Sequence, residues 1–399
     1  MTNNRDPFNY TANLILRAKP DFEYAREPLL RRMPNGDLVC VCLSGGKTEP
    51  ANQNLVIISR SKDDGCTWSA PEIIFQHSER AVWATELFCH DNTVCLFLMT
   101  YYAPSRYREL ILYRSFSTDN GETWSEPQSL PNGIISGSVR QGIVLSNGSW
   151  VFPIYWQECC GAWDWKLHSV PNDGIDEKWP FRCGVLRTED NGKSFHIEGY
   201  LKAQTPLWEN NIAEYENGKL VMLMRAEFTG YLYRSFSDDY GKTWTIPYDG
   251  KNGLLLEGEY HTAPTPVLIH KGRIWRAVEY ATARTTKWGE RYSAMVVSAP
   301  LNSDLMNAGN WTRTNHLYYN PDYLNGSFQA WLEGNVVATP SGEVVDVLRV
   351  QVPKGHKEVM ALVKVNLSGD SVSFASSDFY DMPGAAKKFT IRYDTVTQR

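Results

Sequence analysis

One eight-residue pattern constrains this chain more than any other feature. It runs Ser61 to Trp68 with Asp63, Gly65 and Thr67 at alternate positions, and returns at Ser117–Trp124, Ser237–Trp244 and, with Phe in place of Trp, Thr188–Phe195. Written S-x-D-x-G-x-T-W, it describes a turn. The aspartate accepts hydrogen bonds from turn amides, the glycine takes a backbone conformation that other residues resist, and the aromatic ring anchors the turn on a sheet. Repetition of one turn device at wide spacing specifies an array of similar units, which dictates architecture before any single residue speaks of chemistry.

The inner strands of such units are legible upstream of the turns. Six segments read as strand, turn, strand: residues 26–39, 85–97, 139–152, 209–222, 261–275 and 333–346, five of them turning at Gly36, Gly148, Gly218, Gly272 and Gly342. Hairpins at broadly regular intervals predict an all-β chain, a six-bladed β-propeller spanning residues 1–399 as one domain. The fifth and sixth blades lack a clean octapeptide, with residues 298–311 as a degenerate, expanded copy. Residues 161–181, rich in Trp and Pro, form an insertion expected to cover one face. A strand at 13–17 is expected to close the ring beside the last blade.

Composition sets the outer bounds. Among 399 residues, 42% are hydrophobic and 21% charged, as in a globular protein, and the net charge of −5 argues against a nucleic-acid partner. The eight cysteines include no CxxC pair and no accompanying His spacing, so no metal site and no cofactor are expected. Cys40 and Cys42 alternate along a predicted strand as small buried hydrophobes. The start at Met1 carries no apolar leader core and no apolar run reaches membrane-spanning length, so the expectation is a protein without a membrane partner, cytoplasmic as the sequence stands and secreted or periplasmic if a leader has been removed. The 14 Trp and 21 Tyr exceed what the repeat consumes and suggest a sugar-stacking surface as well as rings buried between sheets.

Polar residues gather where each inner strand begins: Arg26 and Glu27, Glu86, Arg140 and Gln141, Glu209 and Asn210, His261, and Glu333. Charged groups at the mouth of an apolar scaffold are costly unless they pair or serve a ligand. A water-filled channel of paired charges is the plainer reading; convergence of several carboxylates favours a ligand site.

At this point the chain resembles the sialidase superfamily over nearly its whole length. The octapeptide matches that family's Asp-box. Arg26-Glu27-Pro28 matches its Arg-x-Pro motif, and Glu209, Gly218 and Arg225 match its carboxylate, turn glycine and arginine. The resemblance implies a carboxylate-binding clamp of Arg26, Arg225 and a third arginine: Arg291, with Arg284 second and Arg140 as the other candidate. Two positions depart. Glu49 stands as candidate for the family's acid/base Asp, and Glu333 where the family has a Tyr nucleophile, with Tyr323 nearby. A glutamate attacking beside a sugar carboxylate meets like-charge repulsion, whereas hydrolysis of ordinary glycosides uses two carboxylates.

The resulting expectation is an exo-acting glycoside hydrolase acting on a glycan. Glu209 serves as base or base-activator, Glu49 as acid and Glu333 as nucleophile or second carboxylate. Trp83, Trp163, Trp165, Trp208 and Trp331 are stacking candidates, and each also suits a core position. Two alternatives stay open: a polysaccharide lyase with His261 as base, and a glycan-binding propeller without turnover.

Overall fold

The computed structural model describes residues 15, 22, 25–102, 110–130, 135–157, 182–201, 203, 205–226, 229–261, 265–394 and 396. The expected insertion at 161–181, Trp163 and Trp165 within it, and all of the expected closing strand except Ile15 lie outside these residues. The chain divides into two compact units. One comprises residues 11–202 with 239–243, the other residues 1–10, 203–238 and 244–399.

In the first unit, strands Ala25–Arg32, Leu38–Ser44, Leu55–Ser61 and Glu72–Phe75 pair in chain order as an antiparallel sheet. A second meander (Ala81–His90, Thr93–Tyr101, Leu110–Ser117, Gln128–Ser129) and a third (Ile135–Val139, Trp150–Gln157, Arg182–Thr188, His196–Glu198) follow. The last two merge into one sheet through the Ile111–Ile135 pairing. The other unit repeats the plan with Leu207–Glu216, Lys219–Ala226, Leu232–Ser237 and Leu254–Leu256. Then come Tyr260–His261, Arg273–Ala281, Tyr292–Pro300 and Thr312–Arg313, and finally Ala330–Ala338, Val344–Gln351, Val359–Val365 and Val372–Ser373. Phe379–Asp381 adds a further strand to this last sheet, pairing with Val359–Val365.

Alternation along these strands faces apolar residues toward the neighbouring sheet. Val39, Val41, Val56 and Ile58 pack with Val82, Leu87, Leu96 and Leu98 in the first unit. Trp275, Ala277, Val336, Leu348 and Trp331 pack together in the second. Burial of these rows in face-to-face sheets supplies the main driving force for folding.

The octapeptide turns carry a shared set of hydrogen bonds. The Asp63 carboxylate accepts from the Thr67 N–H (2.8 Å), the Thr67 hydroxyl (2.6 Å) and the Ser61 hydroxyl (2.8 Å), while Gly65 N–H donates to Ser61 Oγ (2.8 Å). Asp119 and Asp190 repeat the pattern. The glycine and the residue before it are both left-handed, at φ 55° and 87° for Asp64 and Gly65, which accounts for the preference for Asp or Asn ahead of the glycine.

Each turn is also locked to its neighbour. Arg60 donates to the Asn120 and Gly121 carbonyls, Arg114 to those of Gly192 and Lys193, and Arg187 to that of Tyr240. In the other unit Arg234 donates to Leu305 and Met306. Residues 298–311 thus occupy the turn position expected of them. The Trp311 indole donates to the Leu305 carbonyl (3.0 Å), as Trp68 does to Gly65 (3.1 Å).

These turns predict acid sensitivity. Hydrogen bonds to the charged form hold Asp63 and Asp119 near pKa 2, against 3.8 when unconstrained; at Asp190 burial opposes this, but bonds donated by Ser194 and Thr188 hold the carboxyl near 2 as well. A depressed folded pKa means the contribution is complete above 3.8 and is lost as pH falls toward 2. Thermal melting of the wild type is expected to fall across that window, and Asp63→Asn combined with Asp119→Asn should flatten the slope. An unchanged slope would contradict this origin.

Candidate active site

Inner strands of both units carry a bulge near their start. The pairing slips by one residue between Arg26 and Leu29, between Ala84 and Glu86, between Trp208 and Asn211, and between Leu332 and Asn335. In three of them the extra residues include a glutamate in the left-handed region: Glu27 (φ 51°), Glu209 (φ 52°) and Glu333 (φ 40°). A non-glycine residue held there costs on the order of 1–3 kcal/mol and persists only where its surroundings enforce it. A bulge inserts one residue and re-aims the side chains around it, taking these carboxylates out of the regular in-and-out alternation.

In the second unit, two of these glutamates are held alike. The Glu209 carboxylate accepts from Arg225 Nε (2.9 Å) and Nη2 (2.6 Å). The Glu333 carboxylate accepts from Arg349 Nη1 (2.5 Å), whose Nη2 and Nε donate to the Gln351 side chain and the Ala386 carbonyl. Arg225 and Arg349 stand opposite Trp208 and Leu332, the residues just before each glutamate. Both pairs are 16 residues apart in sequence. Side-chain exposure is 19% and 21% for the first pair and 16% and 10% for the second, so both ion pairs are partly withdrawn from water. The Arg225 guanidinium also lies over the Trp208 ring, 5.1 Å from its centre.

Further charged groups join this set. Arg291, in the short 3-10 helix Trp288–Arg291, donates to Glu259, which also accepts from the Tyr292 hydroxyl (3.2 Å). Burial and Glu259 push the Tyr292 phenol up, with the Arg291 and Arg225 charges opposing them. Arg276 is buried, and desolvation lowers its pKa to about 10 against the Glu279 and Glu209 charges, which raise it.

The first unit holds two more of the expected carboxylates. Arg26 Nη1 donates to Glu49 (2.5 Å), and burial raises the Glu49 pKa, with Arg26 opposing and Glu27 assisting. Glu86 accepts from Arg31 through both oxygens at 2.8 and 3.0 Å. Arg140 donates to the Tyr155 hydroxyl (3.2 Å) with its guanidinium over that ring, and Gln141 is half-buried. The side chain of His261 is outside the described residues; its backbone pairs with Glu279.

Several expectations are corrected. Trp331 is fully buried, stacked on Phe379, with its indole donating to the Tyr318 carbonyl, so it offers no face to a sugar. Tyr323 packs edge-on against Phe328, Trp331, Phe374 and Phe379, which excludes it as a replacement nucleophile. Trp83 is buried against Tyr101. Arg284 is exposed and makes no contact like that of Arg291.

Sequence reasoning missed Arg349, although the signal was present. Glu209, Gly218 and Arg225 recur with identical spacing as Glu333, Gly342 and Arg349. Arg31, Glu259, Arg276, Glu279 and Asp346 carry no comparable marker. Among the described residues no group of three or more His, Cys, Asp or Glu side chains is placed to hold a metal ion. A cavity of about 440 Å³ lined by Tyr215, Lys219, Phe236 and residues 301–306 includes none of these glutamates. Within each unit, paired carboxyl and guanidinium groups on the strands, rather than this concavity, are the groups equipped for acid–base chemistry.

Comparison with known proteins bears on the family and the fold. The BNR repeat-like domain family matches residues 36–252, more than half of the chain. A sialidase of Bacteroides fragilis is 30% identical over 154 residues, covering 37% of this chain and 24% of that protein. A sialidase of Clostridium perfringens is 28% identical over 156 residues, covering 36% of each. These matches span well under half the length of either relative. The intramolecular trans-sialidase from Ruminococcus gnavus, solved with oseltamivir carboxylate, superposes with a TM-score of 0.51 at 13% identity, covering 84% of this chain and 92% of that one, which shows a shared fold. The chain therefore belongs to the BNR repeat-like family, as a divergent member of the sialidase superfamily.

Proposed function

We propose that this protein is an exo-acting glycoside hydrolase that removes a terminal sugar, neutral or acidic, from a glycan. The observation that carries this reading is the matched pair Glu209–Arg225 and Glu333–Arg349, each glutamate presented by a left-handed residue in an inner-strand bulge. Two positioned carboxyl groups are the minimum equipment of most glycosidases. Glu333 is the nucleophile or second carboxylate and Glu209 the base or base-activator. Glu49, whose proton is retained to higher pH by burial, is the acid. Arg26, Arg225 and Arg291 bind the sugar's anionic or hydroxyl-rich face, and Arg349 holds Glu333 in place. In this reading the successive antiparallel repeats are the blades of a six-bladed propeller.

A panel of aryl glycosides covering sialosides, neutral aldosides and uronides tests this directly. Release of the aryl group from at least one member is the expected result. Release from none, with tight glycan binding retained, would make the protein a lectin. An unsaturated product absorbing in the ultraviolet would make it a lyase.

The Tyr292–Glu259 contact supports a second reading, in which a phenol paired with a carboxylate attacks the sugar while Arg225 and Arg291 bind its carboxylate. Tyr292→Phe separates the two. Under the leading reading the variant keeps turnover within about tenfold of wild type, and loss of 10²-fold or more would transfer the nucleophile's role to Tyr292.

A further inference from the structure

Beside Glu333 the second unit buries two acids that the proposed chemistry does not use. Glu279, on strand Arg273–Ala281, and Asp346, on strand Val344–Gln351, are each 1% exposed. Both bear on the same peptide. Glu279 Oε1 accepts the Gly334 N–H at 3.1 Å, immediately after Glu333. The Asp346 carboxyl lies against the Gly334 Cα, where any Cβ would collide with both of its oxygens and with Ala277 Cβ. A side chain at position 334 would force Asp346 or Ala277 to shift, and the bulge that holds Glu333 at φ 40° is closed from two sides by acids on two sheets.

We propose that Glu279 and Asp346 are positioning residues: they clamp the Gly334 peptide and thereby fix the direction in which the Glu333 carboxylate points. This rests on the reading of Glu333 as a reacting carboxylate, but the clamp itself is a property of the fold.

The charges around it show how two acids are tolerated there. Arg276, on the same strand as Glu279, is the cation whose charge interacts with Glu279, and Glu209 acts on it as well. Arg349, on the strand of Asp346, is occupied by Glu333. Asp346 has Glu279 as its acting charged neighbour, and burial together with that negative charge keeps its proton on well above the usual carboxylate range. With its proton retained, Asp346 can lie with Glu279 against one peptide; two anions would repel and open the bulge.

The sign of the linkage follows. For an acid whose folded pKa is raised, the folded state binds the extra proton, so stability declines as pH rises above the unfolded value of 3.8 toward the folded one. Asp346→Asn removes that dependence while keeping an N–H donor where the acid had O–H. The difference in melting temperature, Asp346→Asn minus wild type, should therefore grow in the variant's favour as pH rises from 4 to 7. A difference that stays flat or shrinks would overturn the clamp.

Crystal structures of Glu279→Gln and Glu279→Leu supply the second arm. Gln keeps the acceptor for Gly334 N–H and should leave φ at residue 333 and the Glu333–Arg349 bond intact. Leu should lose both, with turnover on any glycoside cleaved by wild type falling on the order of 10²-fold. Rescue by Gln but not Leu marks positioning by hydrogen bond. A Leu variant with Glu333 unmoved overturns the proposal, and if Leu prevents folding the Asn titration decides. Because melting and geometry are read without substrate, failure of the clamp is distinguishable from failure of the hydrolase reading.

Discussion

Replacing Glu209 or Glu333 by Gln is expected to lower glycoside turnover by about 10³-fold or more while melting stays near that of wild type. The amide is nearly isosteric and keeps one oxygen for its arginine, so the fold loses little. What it loses is the ability to carry negative charge or exchange a proton at the reacting atoms. The two losses should not multiply in the double variant if both groups serve one step, since residues acting as a unit are strongly non-additive. Parallel measurement of turnover and melting on the two single variants and the double variant checks this. Turnover within tenfold of wild type in either single variant removes that residue from the mechanism.

The second large effect belongs to Arg349. It donates to Glu333, to Gln351 and to the Ala386 carbonyl, tying the inner strand of the last sheet to the stretch following its final strand. Arg349→Ala leaves a 10%-exposed carboxylate without its cation. Removing one partner of a partly buried pair is expected to cost about 2–3 kcal/mol, below the fully buried case because some water reaches both groups. Activity should fall on the order of 10²-fold, since Glu333 is then free to turn away. Lys is not a substitute: one ammonium cannot reach three acceptors that a planar fork reaches at once. Denaturant unfolding and turnover of Arg349→Ala and Arg349→Lys provide the check. If Lys restores both, the fork geometry is not what matters.

Much of the fold was legible because it is repeated. The octapeptide fixed the turns, and the Gly36, Gly148, Gly218, Gly272 and Gly342 hairpins located inner strands that the structure starts at Ala25, Ile135, Leu207, Tyr260 and Ala330, one to four residues ahead of the expected positions. Even the degenerate segment 298–311 was recognisable by position, and Trp311 binds the Leu305 carbonyl as Trp68 binds that of Gly65. Partnerships were harder to read. The Arg31–Glu86 ion pair joins neighbouring sheets, a contact set by packing between repeats and not by any motif. Trp331 has the composition of a stacking residue but the environment of a core residue, because Phe374 and Phe379 arrive from distant sequence to pack on it beside the local Phe328. The left-handed conformation at Glu27, Glu209 and Glu333 left no trace in residue type, since glutamate is not the usual occupant of that region. The repeated spacing of glutamate, glycine and arginine was the one marker of the second ion pair.

The central claim is that Glu209 and Glu333 face one sugar. Its most direct test is the crystal structure of Glu209→Gln soaked with a glycoside that the wild type cleaves. The account predicts an intact ligand whose anomeric carbon lies between residues 209 and 333. Carboxyl positions about 5–5.5 Å apart would indicate retention of configuration and about 6.5–9.5 Å inversion. A ligand seated instead in the cavity beside Tyr215 and Met306, or against Tyr292 with Glu333 out of reach, would contradict it.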